Sequence, residues 1–514
     1  MLAGVLLITA LVYMRSLGNG FVFDDYPAIV QNDALAQWSF IWKSPFHDLW
    51  WFRDPQRLPQ SAYYRPLQNV WLALNYHLVG LSPVGWHILK ILLHLVVVIL
   101  SFRLAQLLTG SVGAALLAAL LFGVLPVHVE SVVWAEAIPE PLSAVFELSA
   151  LCLFIGRPST QRRGLVLPLF LFAGALLSHE SAIVFPLLVA AYVFFLEKAG
   201  TQPEPEILSP RVTPTSVAGR MSRALQGSAP FFAVSFLYLG IRAVVFGRSL
   251  FGFAHPPVTR PTIIKDTLVF VRPRPNHALA QLLATMPEVL VFYLALLLIP
   301  WRVGPAHDVD FATPLGLHNF VVPTAVLAAI IALGYFAFRR SPRRKLYLFC
   351  AVWWFISLSP ALNLDHVSAL VQDRYEYLAS FGFCVMASDV AVQAAGKSIT
   401  RNRVVLVFAT AVISVYLAVL WRAELIWHDN VTLFSRSVEM FPGSSYYHKA
   451  LAQALMDYGD LNGATQQLTV ASRLAPDDSA IHLALGLLYM RMNRDRDAAR
   501  EMNAYSASHP KPIN

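Results

Sequence analysis

Apolar residues gather along this chain into twelve runs, at 2–14, 88–108, 112–127, 137–155, 164–178, 181–196, 229–247, 278–300, 320–338, 346–360, 376–395 and 404–421. Runs so sparse in charge read as helices that cross a bilayer, for which roughly 20 apolar residues suffice. Several runs are shorter, and their apolar or amphipathic flanks extend them. None alternates apolar and polar residues as the strands of a membrane β-barrel do. The first run lacks the basic start and small-residue cleavage site of a signal peptide, so it reads as a retained helix.

After 421 the pattern turns polar and periodic. Pro442, Pro476 and Pro510 lie 34 residues apart, as do Ala464 and Ala498, and Ala452 and Gly486. Small residues at helix contacts and a proline closing each unit at this period form the tetratricopeptide (TPR) pattern. It predicts repeats at 445–478 and 479–512, with Trp427–Phe441 as the second helix of an incomplete earlier one. The predicted fold is therefore all-α: a polytopic membrane domain over 1–421 and a helical-repeat segment over 422–514.

Composition agrees. Of 514 residues, 56% are hydrophobic and 14% are charged, against roughly 25% charged in soluble proteins. A soluble globular enzyme and a disordered chain are excluded. The three cysteines, Cys152, Cys350 and Cys384, sit inside apolar runs and suggest neither a disulfide framework nor a metal site.

The net charge of +8 acquires meaning from its distribution. Basic residues cluster at Arg157, Arg162 and Arg163; at Lys198, Arg211, Arg220 and Arg223; at Arg339, Arg340, Arg343, Arg344 and Lys345; and at Lys397, Arg401 and Arg403. The positive-inside rule places all four on the cytoplasmic side. That requires one run between 229 and 338 not to span. Run 278–300, interrupted by Pro287 and Glu288, is the candidate and is expected to form a surface helix or re-entrant hairpin. About eleven spans remain, with the N-terminus inside and the C-terminus outside. The inner loops, including the linker 197–228, then hold fifteen Lys/Arg and only Glu197, Glu204 and Glu206 as acids. Carboxylate chemistry, and the repeats, belong outside: the periplasm of a bacterium or the lumen of the endoplasmic reticulum. The charge is a topology signal and no nucleic-acid patch.

Candidate chemistry lies on that outer side. The long first outer loop, 15–86, opens with Asp24-Asp25, a pair able to act as general base on a hydroxyl or to hold a divalent metal. Tyr64-Arg65 follows, and an interfacial Arg can pair a phosphate through two bonds. His128-Val129-Glu130 closes the third run, with Trp134, Glu136 and Glu140 close behind. His179-Glu180 sits between two runs with almost no loop around it, where a charge is expensive unless it faces a cavity. Asp373-Arg374-Tyr375-Glu376-Tyr377 precedes the eleventh run. No zinc signature, phosphate-cradling Gly loop or Ser-nucleophile motif is present.

The order of these motifs carries a resemblance. Phe23-Asp24-Asp25, Tyr64-Arg65-Pro66-Leu67, Leu74-Asn75-Tyr76, His87 with His94, Pro126-Val127-His128-Val129-Glu130, Ser178-His179-Glu180, Pro360-Ala361-Leu362-Asn363-Leu364 and Asp373-Arg374-Tyr375-Glu376-Tyr377-Leu378 resemble the transmembrane and TPR-containing (TMTC) protein O-mannosyltransferases and their bacterial relatives, within the GT-C superfamily of membrane glycosyltransferases. The resemblance covers nearly the whole chain. It implies transfer of a sugar, with inversion, from a polyprenyl-phosphate donor to an acceptor on the outer face. A protein or peptide is the expected acceptor, met through the repeats, and the membrane lipid is the expected surround. By position Asp24 and Asp25 match the family's acidic motif, with Asp25 favoured as base. Arg65, Arg374 and Tyr375 are expected to bind the donor phosphate. Tyr64, His128, Glu130, His179, Glu180 and Asp373 are expected to line the pocket. No cofactor is implied beyond a divalent metal that Asp24 and Asp25 could hold.

The chain departs from the family where His179 replaces a Lys, where Ala137-Ile138-Pro139-Glu140 replaces a Gly-Arg-Lys-Asp stretch, and where Asp373 replaces a Glu. Its repeat array is short, as in bacterial relatives. Two other readings remain: a non-catalytic membrane scaffold that recruits partners through its repeats, and a transferase of the same superfamily acting on a glycan or lipid.

Overall fold

The computed structural model describes residues 1–53, 61, 63–157, 162–197, 216–246, 262–264, 267–269, 279–305, 307, 316–362, 371–396 and 398–508. Several residues read above, among them Arg162, Arg163, Lys198, Glu204, Glu206, Arg211, Asn363, Leu364, Lys397 and Pro510, have side chains outside that description.

The described residues are helical almost throughout. In order come α1 (Leu2–Tyr13), α2 (Ser39–Lys43), α3 (Pro66–Val79), α4 (Pro83–Thr109), α5 (Val112–Val124), α6 (Val129–Val133), α7 (Pro139–Gly156), α8 (Val166–Ser178), α9 (Phe185–Phe195), α10 (Val217–Val245), α11 (Leu279–Leu298), α12 (Val322–Phe338), α13 (Arg344–Leu358), α14 (Glu376–Ala395) and α15 (Ile399–Ala423). The C-terminal segment adds α16 (Asn430–Met440), α17 (Ser445–Tyr458), α18 (Leu461–Leu474), α19 (Ser479–Arg491) and α20 (Asp495–Ser508). A two-stranded antiparallel ribbon, β1 (Thr262–Ile264) and β2 (Thr267–Val269), pairs Thr262 with Val269.

Among the described residues, seven helices are long and apolar enough to cross a membrane, and α5 with the bent piece Pro126–Val133 makes an eighth if that pair is one span. The remaining three of the eleven expected spans are the shorter apolar helices Leu2–Gly18, Val166–Ser178 and Glu180–Phe195. Of the two forms expected for run 278–300, the chain takes the helix and not the hairpin, because α11 continues through Pro287. The freed backbone carbonyl of such a proline can be re-satisfied locally in an apolar setting. The linker 197–228 ends early, because Ser216 Oγ accepts the Gly219 N–H and starts α10 at Val217.

Local sequence explains the turns. Ser82 caps α4 and Pro83 occupies its first turn, while Gly110 ends it at φ 68°, a left-handed conformation suited to glycine. Pro126 interrupts the next span, which bends by 51° and carries His128 and Glu130 inward. On α4, exposed Val84, Ile88, Leu92, Val96 and Ile99 form one stripe, opposite buried Trp86, His87, Lys90 and His94. Apolar stripe outward and polar face inward is the arrangement of a helix in lipid.

Burial of apolar surface does not drive helices together in lipid; close packing and interhelical hydrogen bonds do. Both occur at the centre. His94 Nδ1 meets Tyr377 Oη at 2.7 Å, and His128 Nε2 meets Ser380 Oγ at 2.8 Å, which joins α4 and the bent span to α14. Gly382 lets α14 approach α13 so closely that a Cβ would lie 2.5 Å from the Cys350 carbonyl oxygen.

Helix direction alternates through the bundle. Arg343 donates to the Thr109 carbonyl and lies near Asp389, at the end where α4 and α14 finish. Arg220 lies over Phe194 at the same end, where α9 finishes and α10 starts. The acidic loops lie at the opposite end. There α10 returns, with Tyr238 and Phe246 against Tyr64.

Beyond α15 the chain forms antiparallel helix pairs, α17 with α18 and α19 with α20, in phase with the 34-residue period. Ala464 and Ala498 are buried at the helix contacts. Lys449 on α17 pairs with Asp478, the residue that caps α19.

Candidate active site

The acidic loop is short and heavily braced. Asp25 is fully buried. Its Oδ1 accepts the Glu136 N–H at 2.7 Å and its Oδ2 accepts the Val22 N–H at 2.9 Å. Burial pushes its pKa up to about 7 against the pull of those two N–H groups. Asp24 differs. Its side chain accepts no hydrogen bond from another described residue, and it is only partly buried. Burial raises its pKa, and the positive charges of Arg53 and then Arg374 oppose that rise. Of the two neighbours, Asp24 offers its lone pairs to an incoming group.

Arg53 and Glu136 complete this corner. Arg53 lies over the Trp50 ring at 4.0 Å. Burial lowers its pKa, while Asp24 and Glu136 hold it up. Glu136 Oε1 accepts from Gln68 Nε2 at 2.6 Å. Burial first, and then the charge of Asp24, push the Glu136 carboxyl up to about 8.

A chain of alternating charges runs beside it. Arg374 Nη1 donates to Glu130 Oε1 at 3.1 Å, its backbone N–H donates to Glu130 Oε2 at 3.2 Å, and its Nε lies 3.3 Å from Glu140 Oε1. His179 Nε2 lies 3.7 Å from the same Glu140 oxygen. The Ser181 backbone N–H donates to His179 Nδ1 at 2.9 Å. Nδ1 is therefore the acceptor, and the ring proton sits on Nε2, facing Glu140. Arg65 grips Glu180 through two bonds, Nε to Oε2 at 2.8 Å and Nη2 to Oε1 at 2.7 Å. Its guanidinium also lies over Tyr63 at 4.5 Å. Tyr375 lies beside the Arg374 guanidinium, 5.6 Å from ring centre to carbon.

The structure thus brings together Asp24, Arg65, Glu130, His179, Glu180, Arg374 and Tyr375. Other candidates are turned to bracing. His128 is fully buried between the Phe122 carbonyl and Ser380. Tyr64 donates to the Pro45 carbonyl at 2.7 Å. Asp373 accepts from the Gly304 N–H at 2.8 Å and meets His307 Nε2 at 2.6 Å, which ties α14 to the segment after α11. Arg53, Gln68 and His307 carry no motif that sequence reading could use. Glu136 and Glu140 stand near His128 in sequence, and only the fold assigns them partners.

A divalent metal fits Asp24 and Asp25 poorly. Both Asp25 oxygens already accept N–H groups. Among the described residues, no group of three or more His, Cys, Asp or Glu side chains is placed to hold an ion.

No protein-family signature matches the chain. Individual proteins do. The chain is 27% identical to mouse protein O-mannosyl-transferase TMTC3 over 513 residues, covering 96% of this chain and 53% of that protein. It is 26% identical to human TMTC3, covering 95% and 52%, and 27% identical to human protein O-mannosyl-transferase TMTC1, covering 93% and 56%. The chain's homologues are thus TMTC proteins, and it spans about half the length of these relatives. Two solved structures show weaker likeness. ArnT from Cupriavidus metallidurans bound to undecaprenyl phosphate has TM-score 0.45 at 14% identity, over 98% of this chain and 74% of that one. The Archaeoglobus fulgidus oligosaccharyltransferase has TM-score 0.46 at 15% identity, over 87% and 59%.

Proposed function

We propose that this chain is an integral membrane glycosyltransferase of the TMTC kind. It moves a sugar from a polyprenyl-phosphate donor to an acceptor hydroxyl, at the end of the bundle that carries the acidic loops. Asp24 is the general base. The observation that carries this reading is the contrast between two adjacent carboxylates: Asp25 is tied at both oxygens, whereas Asp24 accepts no bond from a described residue and the charges of Arg53 and Arg374 favour its ionised form. A positioned carboxylate beside cations is the arrangement that proton abstraction and phosphate departure require together.

In the proposed reaction, Asp24 takes the acceptor's hydroxyl proton as its oxygen attacks the anomeric carbon of the sugar. The bond from that carbon to the phosphate oxygen breaks on the opposite face, so configuration inverts. The electron pair leaves with the polyprenyl phosphate, whose growing charge Arg374 and Arg65 stabilise, with Tyr375 alongside. Both arginines are ion-paired in the free protein, so the phosphate joins or displaces Glu130, Glu140 and Glu180. The positive-inside pattern supports placing this end in the periplasm, or in the lumen of the endoplasmic reticulum. There the repeats present a polypeptide acceptor.

The test is transfer of labelled sugar from a synthetic polyprenyl-phosphate donor by the purified chain in lipid nanodiscs, with and without Arg374→Ala. Transfer by the wild type with at least a tenfold rise in donor KM for Arg374→Ala supports the reading. Donor binding that ignores Arg374 contradicts the phosphate assignment, and absence of any transfer favours the scaffold.

A further inference from the structure

The residue just before Asp24 is strained. Phe23 has φ 49°, and among the described residues its only non-glycine companion at positive φ is Asn493, at 56°. Asparagine visits the left-handed region readily, whereas for a bulky residue it is unfavourable by roughly 1–2 kcal/mol. Such strain persists where surrounding contacts over-determine it. Here those contacts come from the start of the C-terminal helical segment.

The Phe23 N–H donates to Asn430 Oδ1 at 2.8 Å. The Phe23 ring lies between Phe434, edge-on at 5.9 Å, and Trp134 at 5.6 Å. Trp134 in turn stacks on Trp427 at 5.5 Å. Two further bonds fasten the same stretch: the Gly20 N–H donates to the His428 carbonyl at 2.9 Å, and Asn19 Nδ2 donates to the Glu424 carbonyl at 3.1 Å. Asn430 is not needed to start its own helix. Asp429 is the cap, and its Oδ1 accepts the Thr432 N–H at 2.7 Å. The Asn430 carboxamide oxygen is therefore committed across the junction, to a residue more than 400 positions earlier in the chain.

We propose that Asn430 and Phe434 are positioning residues for Asp24, acting through Phe23: they hold its backbone left-handed and so aim the Asp24 carboxylate into the site. This rests on Asp24 being the base. The C-terminal helices are then part of the active-site scaffold in addition to any partner they bind. If Phe23 relaxes to negative φ, the next peptide turns and re-aims the Asp24 carboxylate. The Asp25 bond to the Glu136 N–H lies outside this turn, whereas its bond to the Val22 N–H spans Phe23 and loosens with it.

The experiment uses the full-length protein in nanodiscs, with Asn430→Leu, Asn430→Asp and Phe434→Ala. The readouts are kcat and donor KM for sugar transfer, and amide hydrogen exchange of residues 19–31. Asn430→Leu is expected to lower kcat at least tenfold with donor KM within twofold, since it leaves the arginines untouched. Amide exchange at Phe23 and Asp24 is expected to quicken at least tenfold, with α17–α20 unchanged. Asn430→Asp keeps the acceptor oxygen and is expected to restore kcat to within threefold of wild type. Phe434→Ala is expected to show the same split in milder form. Wild-type kcat in Asn430→Leu, or unchanged exchange at Phe23 and Asp24, overturns the proposal. If the wild type transfers no sugar, the functional reading fails by itself, and exchange alone decides whether Asn430 sets the loop.

Discussion

Asp25 Oδ1 accepts the backbone N–H of Glu136 at 2.7 Å, which ties the loop after α1 to the loop before α7. With its other oxygen on the Val22 N–H, Asp25 acts as a brace. Removing the acceptor leaves two buried N–H groups without partners, at about 1–3 kcal/mol each. Asp25→Ala is therefore expected to lower the melting temperature in detergent clearly, and Asp25→Asn, which keeps one acceptor oxygen, by less. Equal melting of wild type and Asp25→Ala would show that the brace carries no stability.

The pH dependence of transfer follows from Asp24. Burial raises its pKa and Arg53 opposes that rise. The base acts when ionised, so the rate climbs with pH through the Asp24 pKa. Loss of Arg53 removes a charge that favours the ionised form. Arg53→Gln should therefore shift the acidic limb of kcat/KM to higher pH, and Arg53→Lys should leave it near the wild-type position. A limb that stays in place in Arg53→Gln would separate Arg53 from the base.

Arg65 and Glu180 form a two-bond pair with side chains 14% and 24% exposed. Exposed pairs are worth under about 1 kcal/mol, and breaking buried ones costs about 3–5 kcal/mol. A double-mutant cycle with Arg65→Ala and Glu180→Ala is expected to give a coupling of about 2 kcal/mol, measured by chemical unfolding in detergent. A coupling near zero would mean that water screens the pair.

Gly382 tests the packing. An added Cβ would meet the Cys350 carbonyl oxygen at 2.5 Å, and that oxygen belongs to the α13 backbone and cannot swing aside. Gly382→Ala should lower stability by about 1–3 kcal/mol, the usual range for overpacking. Unchanged melting would show that α13 and α14 separate more easily than the structure implies.

The membrane domain was legible because lipid imposes long apolar runs, and the C-terminal helix pairs because small residues recur there at a fixed period. Helix ends were less so. Pro287 looked like a break, yet α11 runs through it, since backbone repair by surroundings leaves no trace in sequence. The motifs marked the right loops, and Arg65, Glu130, Glu180 and Arg374 meet as charged partners. Which of two adjacent aspartates is free was not legible. It depends on the N–H groups of Val22 and Glu136, and every residue but proline carries an N–H. Arg53 and Asn430 reach the site from segments without motifs, by tertiary contact alone.

The central claim is that Asp24, and not Asp25, takes the acceptor proton. The most direct measurement is sugar transfer by Asp24→Asn and Asp25→Asn from a polyprenyl-phosphate-mannose donor, with donor binding measured on the same samples. The expected result is a loss of about 100-fold or more in kcat for Asp24→Asn with donor binding retained, and a smaller loss for Asp25→Asn that follows its melting temperature. Transfer near the wild-type rate by Asp24→Asn would contradict the account.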